Sequence, residues 1–201
     1  MNMRKIAIAF MLLAVCCTAA AQSAKTVLDK AAAVIGSGNG VTASFRTDGK
    51  QYGNTSGTIM LKKKLFHIST PQAAVWFNGK TMWTYVKKNN EVNVSNPTAR
   101  ELQAINPYNF INMYSKGFSY KMDKAGSEYV VHLTATGKSQ GISEMVISVN
   151  RSTYVISKIK IKQGQAWSTI SISNFRKAAL SDSKFSFSPK LYPGAEVIDL
   201  R

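Results

Sequence analysis

The feature that most constrains this chain is a period of two in its hydrophobic residues. In Val155-Ile-Ser-Lys-Ile-Lys-Ile-Lys162 the three lysines Lys158, Lys160 and Lys162 fall on one side, with Val155, Ile159 and Ile161 on the other. Successive side chains of a strand point to opposite faces, so this segment reads as a strand with one wet and one dry face. The alternation recurs. Val41, Ala43, Phe45 and Thr47 alternate with Thr42, Ser44 and Arg46, and Phe118, Tyr120 and Met122 with Ser119 and Lys121. Tyr129, Val131 and Leu133 alternate with Val130, His132 and Thr134. Antiparallel sheets carry this pattern, because one of their faces can stay solvated. Turn residues separate the runs: Asn78-Gly79, which predicts a type I′ hairpin turn, then Lys88-Asn89-Asn90, Asn150-Arg151-Ser152 and Gln163-Gly164. The reading is about ten or eleven strands in one large antiparallel sheet or barrel.

Two segments break the period. From Ser23 to Ile35, Ala24, Val27, Leu28, Ala31, Ala32 and Ile35 recur at helical spacing, and Gly36-Ser-Gly-Asn-Gly40 stops the helix. Pro97 to Ile105 and Pro107 to Tyr114 read as two short helices, each with proline near its first turn. Leu102, Ile105, Phe110, Ile111 and Met113 make that insertion apolar. A single sheet cannot cover its own dry face, so these three helices are its expected cover. A cover that fails to fill the curved sheet would leave an apolar cavity.

Residues 1–21 read as a secretory signal peptide: Arg4 and Lys5, an apolar run from Ile6 to Val15, then Thr18-Ala-Ala-Ala21. The apolar run is short of the roughly 20 residues a membrane span needs. Residues 22–201 are expected to form a single domain, exported to the periplasm. Cleavage would leave 180 residues and remove two cations, lowering the formal charge from +16 to +14. Cys16 and Cys17 are the only cysteines, and both lie in this segment. A lipid-modified Cys16 or Cys17 is the alternative, set against by Val15, where a small residue would be expected.

The remaining inventory is poor in catalytic groups. Without a cysteine in the mature chain, and with only His67 and His132, it offers no thiol nucleophile and no soft metal site. Its ten acids are scattered. Gly36-Ser-Gly-Asn-Gly40 follows a helix and precedes a strand, the reverse of a phosphate cradle. Neither enzyme activity nor a cofactor is expected. The basic charge would suit nucleic acid, but export and the dispersal of lysines over strand faces argue against it.

Gly57-Thr-Ile-Met-Leu-Lys-Lys-Lys-Leu-Phe66, followed after a short gap by Pro71 and Phe77-Asn-Gly-Lys-Thr-Met-Trp-Thr-Tyr85, resembles the central signature of the periplasmic outer-membrane lipoprotein carrier proteins of LolA type. Ser183-Lys-Phe-Ser-Phe-Ser-Pro189 and Pro193-Gly-Ala-Glu-Val-Ile-Asp199 resemble the same family's ending. The resemblance implies a mainly β fold with a helical lid, an incomplete antiparallel β-barrel whose hydrophobic cavity holds the acyl chains of a lipoprotein. Implied partners are acylated lipoprotein cargo, an inner-membrane ABC-type release complex and an outer-membrane acceptor. The family usually has Lys-Arg-Pro after the Gly-led strand, its Arg holding the lid closed. Here Lys62-Lys63-Lys64 stands instead, and Lys63 is the candidate for the latch, although an ammonium cannot reproduce a bidentate guanidinium fork.

Strand phase nominates the cavity wall. From the first half of the chain come Phe45, Ile59, Leu61, Phe66, Ile68, Trp83 and Tyr85; from the second come Phe118, Tyr120, Met145, Ile147, Ile159 and Ile161. Leu102, Phe110 and Met113 are the lid candidates. The expected function is a monomeric, non-catalytic periplasmic carrier. The alternatives are a carrier for another lipid or amphiphile on the same scaffold, and a membrane-tethered acceptor or sensor.

Overall fold

The computed structural model describes residues 23–36, 38–50, 53–98, 101–102, 114–115, 117–137 and 141–201. The expected signal peptide, Phe110, Met113 and the second short helix lie outside the described residues, as does most of the first. Its helix start is seen: Thr98 Oγ1 accepts from the Glu101 N–H at 3.3 Å, and Glu101 accepts from the Thr98 N–H at 2.7 Å. This reciprocal capping box satisfies two backbone donors ahead of Leu102.

One 12-stranded sheet organises the chain, in the order β12-β6-β5-β4-β3-β2-β1-β11-β10-β9-β8-β7. Strands β1 (Val41–Gly49), β2 (Thr55–Lys62), β3 (Leu65–Ser69), β4 (Ala73–Phe77), β5 (Met82–Val86) and β6 (Glu91–Ser95) form one meander. Strands β7 (Phe118–Ala125), β8 (Glu128–Ala135), β9 (Ile142–Asn150), β10 (Ile156–Gln163) and β11 (Ala166–Lys177) form the second. The two join through β1 and β11. The sheet stays open, with β7 and β12 (Glu196–Asp199) at its edges. β12 takes the count past ten or eleven, and it pairs with β6 in parallel where every other pair is antiparallel. A short strand with a mostly exposed side carries no period-two signal, so alternation did not reveal it.

Helix α1 (Ala24–Gly36) starts at Ser23, whose Oγ accepts from the Thr26 N–H at 3.1 Å. Its stripe of Val27, Leu28 and Ala31 is buried on the inner face of the second meander. There it forms one core with Phe118, Val131, Leu133, Met145, Ile147, Ile159 and Ile161. The phase of β10 shifts at its start. A bulge between Ile156 and Lys158 turns Ile156, rather than the expected Val155, into this core, because a bulge offsets side-chain alternation by one residue.

The first meander is covered on its opposite, outer face. Phe185, in the 3-10 turn Asp182–Phe185, is fully buried beside β3 and β4. Phe187 and Tyr192 lie edge-on to Trp76, at 5.5 and 5.7 Å between ring centroids. Tyr192 also packs on Tyr85 at 4.1 Å, and Lys62 ties down the segment by donating to the Leu180 carbonyl at 2.7 Å and pairing with Asp182 at 2.8 Å. Burial on both faces explains why Ala73-Ala-Val-Trp-Phe77 is apolar throughout instead of alternating. Truncating Phe185 to Ala should therefore cost about 3–5 kcal/mol, the usual loss for a buried Phe. Chemical denaturation of Phe185→Ala measures it; a change below about 1 kcal/mol would mean that the C-terminal cover is not integral to the fold.

Candidate functional site

Cross-strand register defines a second apolar surface, on the inner face of the first meander. Val41 faces Leu61, Leu61 faces Phe66, Phe66 faces Phe77 and Phe77 faces Met82; one pair further along, Ile59, Ile68 and Val75 line up. Directly opposed residues share a face, so these side chains form one continuous apolar patch. The Phe66 and Phe77 rings meet at 5.3 Å. Val41, Leu61, Phe66 and Phe77 are buried, whereas Ile59, Ile68, Val75 and Met82 are only partly so. Ile35 of α1 and Leu102 pack against the patch. At its border Phe45 lies across Gly57, where a Cβ would stand 2.1 Å from the Ser69 carbonyl oxygen and 2.9 Å from the Phe45 ring. The Gly that leads β2 is there because nothing larger fits.

The nominated wall residues thus divide. Ile59, Leu61, Phe66 and Ile68 belong to this patch, Phe45 lies at its border, and Leu102, one of the lid candidates, packs on it. Phe118, Met145, Ile147, Ile159 and Ile161 are buried in the core under α1, with Tyr120 packed against that core. Trp83 and Tyr85 are corrected. They pair with Trp76 and Ala74 and so lie on the outer face, where Tyr85 packs on Tyr192 of the C-terminal segment. Phe77 pairs with Met82, so Asn78 to Thr81 form a four-residue loop in which Asn78 Oδ1 accepts from the N–H groups of Lys80 and Thr81. The expected two-residue type I′ turn does not form. The register differs by two residues from the one that turn would set, which leaves each side chain on its face; the inward assignment of Trp83 and Tyr85 fails instead because β4 is apolar on both sides and carries no phase from β3 into β5. Val75, Phe77 and Met82 are the members that sequence reasoning missed; the face they share with Phe66 was hidden by the unbroken apolar run of β4.

Lys63, the latch candidate, sits exposed at the β2–β3 turn with φ of 53° and reaches no hydrogen-bond acceptor among the described residues. Its neighbour Lys62 makes the tie, and to the C-terminal segment. At the far end of the lid segment, Tyr114 is buried and its hydroxyl donates to Asp29 of α1 at 2.8 Å, while the Tyr120 hydroxyl donates to the Tyr114 carbonyl. The Lys25 ammonium, with help from Tyr114, holds the Asp29 carboxyl below the usual carboxylate range. Burial, reinforced by Asp29, pushes the Tyr114 hydroxyl well above an ordinary phenol. The end of the insertion is thereby fastened to α1 and β7.

His67 stacks on Trp76 at 4.9 Å under the C-terminal cover, where burial and then the charge of Lys184 lower its pKa. His132 lies 3.3 Å from Asp123 on the solvated face of β8 and β7. Among the described residues no three His, Cys, Asp or Glu side chains converge as metal ligands, and no helix is long and apolar enough to cross a membrane.

The chain thus combines an open 12-stranded sheet with an N-terminal helix that covers part of its inner face. The model of the family described as outer membrane lipoprotein carrier protein LolA matches residues 15–165, three quarters of the sequence, and the chain belongs to that family of carrier and binding proteins. No curated protein matches it by sequence. An uncharacterized conserved protein from Thermus thermophilus has the same fold, with a TM-score of 0.62 at 12% identity over 89% of this chain and 99% of that one. A LolA superfamily protein from Nitrosomonas europaea is similar at a TM-score of 0.43 and 12% identity, over 82% of this chain and 98% of that one. The Mycobacterium tuberculosis lipoprotein LppX is similar at 0.45 and 9% identity, over 78% and 98%.

The lowered pKa of His67 has a measurable consequence. Below about pH 6.5 the unfolded chain binds a proton that the folded state resists, so stability falls as the pH drops through that value. Thermal midpoints between roughly pH 7.5 and 5.5 should decline less steeply for His67→Phe, which keeps an aromatic ring on Trp76, than for the native chain. Parallel declines would show that another group titrates.

Proposed function

We propose that this protein is an exported, non-catalytic carrier that shields acyl chains on the inner face of β1 to β5. The observation that carries this reading is the continuous patch from Val41 to Met82, half of whose members are only partly buried. Residues 1–21 would be removed as a signal peptide, leaving residues 22–201 in the periplasm. Each methylene withdrawn from water contributes about 0.8 kcal/mol, so an anchor with several acyl chains is held strongly by such a surface and by little else. Leu102 lies in the segment that would act as lid, with Phe110 and Met113 as further lid residues. Tyr114 would anchor that segment to α1, and a partner that prefers the open state would release the cargo.

Family membership supports lipoprotein cargo, received from an inner-membrane ABC-type release complex and passed to an outer-membrane acceptor. The exposed position of Lys63 favours a second reading, a carrier for another lipid or amphiphile on the same scaffold. Without an arginine latch, closure would depend on apolar contacts such as that of Leu102.

Mass spectrometry of material co-purified from the native host separates the two: a lipopeptide supports lipoprotein transport, a free glycerolipid the second reading. The intact mass should correspond to a chain beginning at Gln22; a lipid-modified Cys16 or Cys17 would make it a tethered protein. Ile68→Glu should weaken uptake of a fluorescent fatty acid at least about tenfold, because a charge in the acyl path costs more than about 1.4 kcal/mol. Unchanged uptake by a folded Ile68→Glu variant would place the ligand elsewhere.

A further inference from the structure

The outer face of the second meander bears a surface of different chemistry. On β10 Lys158, Lys160 and Lys162 stand two residues apart, facing Ser171, Thr169 and Trp167 of β11. Ser171 faces Arg46 on β1. Arg46 is therefore about two strand spacings, roughly 10 Å, from Lys158 across the sheet. Lys158, Lys160, Arg46 and Trp167 are exposed, and Trp167 is 37% accessible, a high value for the largest apolar side chain. The ammonium groups of Lys160 and Lys162 lie 5.4 and 5.8 Å from its ring centroid. Four acids share this face: Glu144, paired with Lys162 at 2.6 Å, Asp48, opposite Thr169, and, on β7 and β8, Asp123 beside His132 and Glu128, which accepts from the Ser157 hydroxyl. Lys158 and Lys160 have no ion-pair partner among the described residues. Beside them a shallow groove of about 660 Å³ is lined by Ser44, Arg46, Ser56, Thr58 and Ser171.

We propose that this face docks the protein on an anionic phospholipid bilayer. Lysines in a flat row, arginine and hydroxyls are donors suited to phosphate oxygens spread over a plane. An indole with an apolar body and a polar N–H is the side chain that settles at headgroup depth. An acidic peptide would satisfy the cations and leave Trp167 without a partner, whereas a lipid interface satisfies both. The inner patch faces away from this surface, so docking and acyl-chain binding use opposite sides of one sheet.

Co-sedimentation of the purified protein with vesicles containing phosphatidylglycerol, and with vesicles of phosphatidylcholine alone, tests the proposal. Binding to the anionic vesicles should exceed binding to the neutral ones and weaken with added salt. Each lysine near such a surface contributes about a fivefold factor, so Lys158→Gln with Lys160→Gln should lower the partition coefficient about 25-fold. Both are exposed, and circular dichroism checks that the fold is kept. Trp167→Ala should remove the part of binding that survives added salt. Ile68→Glu should dock as well as the native chain, which separates this proposal from the acyl-chain reading. Equal binding to both vesicle types, native-like docking of the double variant, or loss of docking in Ile68→Glu would each overturn it. Binding to polyglutamate but not to vesicles would also overturn it, pointing to an acidic protein partner.

Discussion

A sheet one layer thick has two faces, and apolar side chains on either must find cover from elsewhere in the chain. Here the covers are placed diagonally. Helix α1 buries the inner face of the second meander, through Val27, Leu28 and Ala31. Residues from Leu180 to Tyr192 bury the outer face of the first meander, through Phe185, Phe187 and Tyr192. At about 25 cal/mol for each Å² of apolar surface withdrawn from water, these contacts dominate the stability of the fold. The diagonal sets apart two other surfaces, the apolar inner face of β1 to β5 and the basic outer face of β10, β11 and β1.

This division would separate stability from the proposed binding. β3 and β4 are held from behind by Phe185 and by the tie of Lys62 to Leu180 and Asp182, so their front need not be fully packed for the strands to persist. A surface that must admit and release an acyl chain gains from such backing. Opening it would expose Ile59, Ile68, Val75 and Met82, which are already partly exposed, without unmaking either core. Tyr114, bonded to Asp29, fastens the end of the insertion to the α1 core, so the proposed lid and the permanent cover meet at a defined point.

Much of the architecture was legible because alternation is a local signal. The stripe of α1, the dry sides of β8 and β9 and the inward phase of Ile59, Leu61, Phe66 and Ile68 all follow from spacing. Three departures from the alternation each have a local physical cause. Trp83 and Tyr85 lie on the face opposite to the expected one because β4 is apolar on both sides and carries no phase from β3 into β5. Ile156 rather than Val155 faces the core because a bulge resets the phase of β10. β12 was missed because a parallel edge strand has almost no buried side to alternate.

The sequence by itself determined the strands, the helix stripe, the scarcity of catalytic groups and the family, because these depend on residue type and on neighbours within a few positions. Only the tertiary structure decided which apolar residues form a permanent core and which remain partly open. Met145 and Ile68 look alike in their strands, yet one is buried in the core with α1 and the other is only partly buried in the patch of the first meander. The sorting depends on which distant segment returns to cover which face, and long-range contacts of that kind leave no periodic trace along the chain.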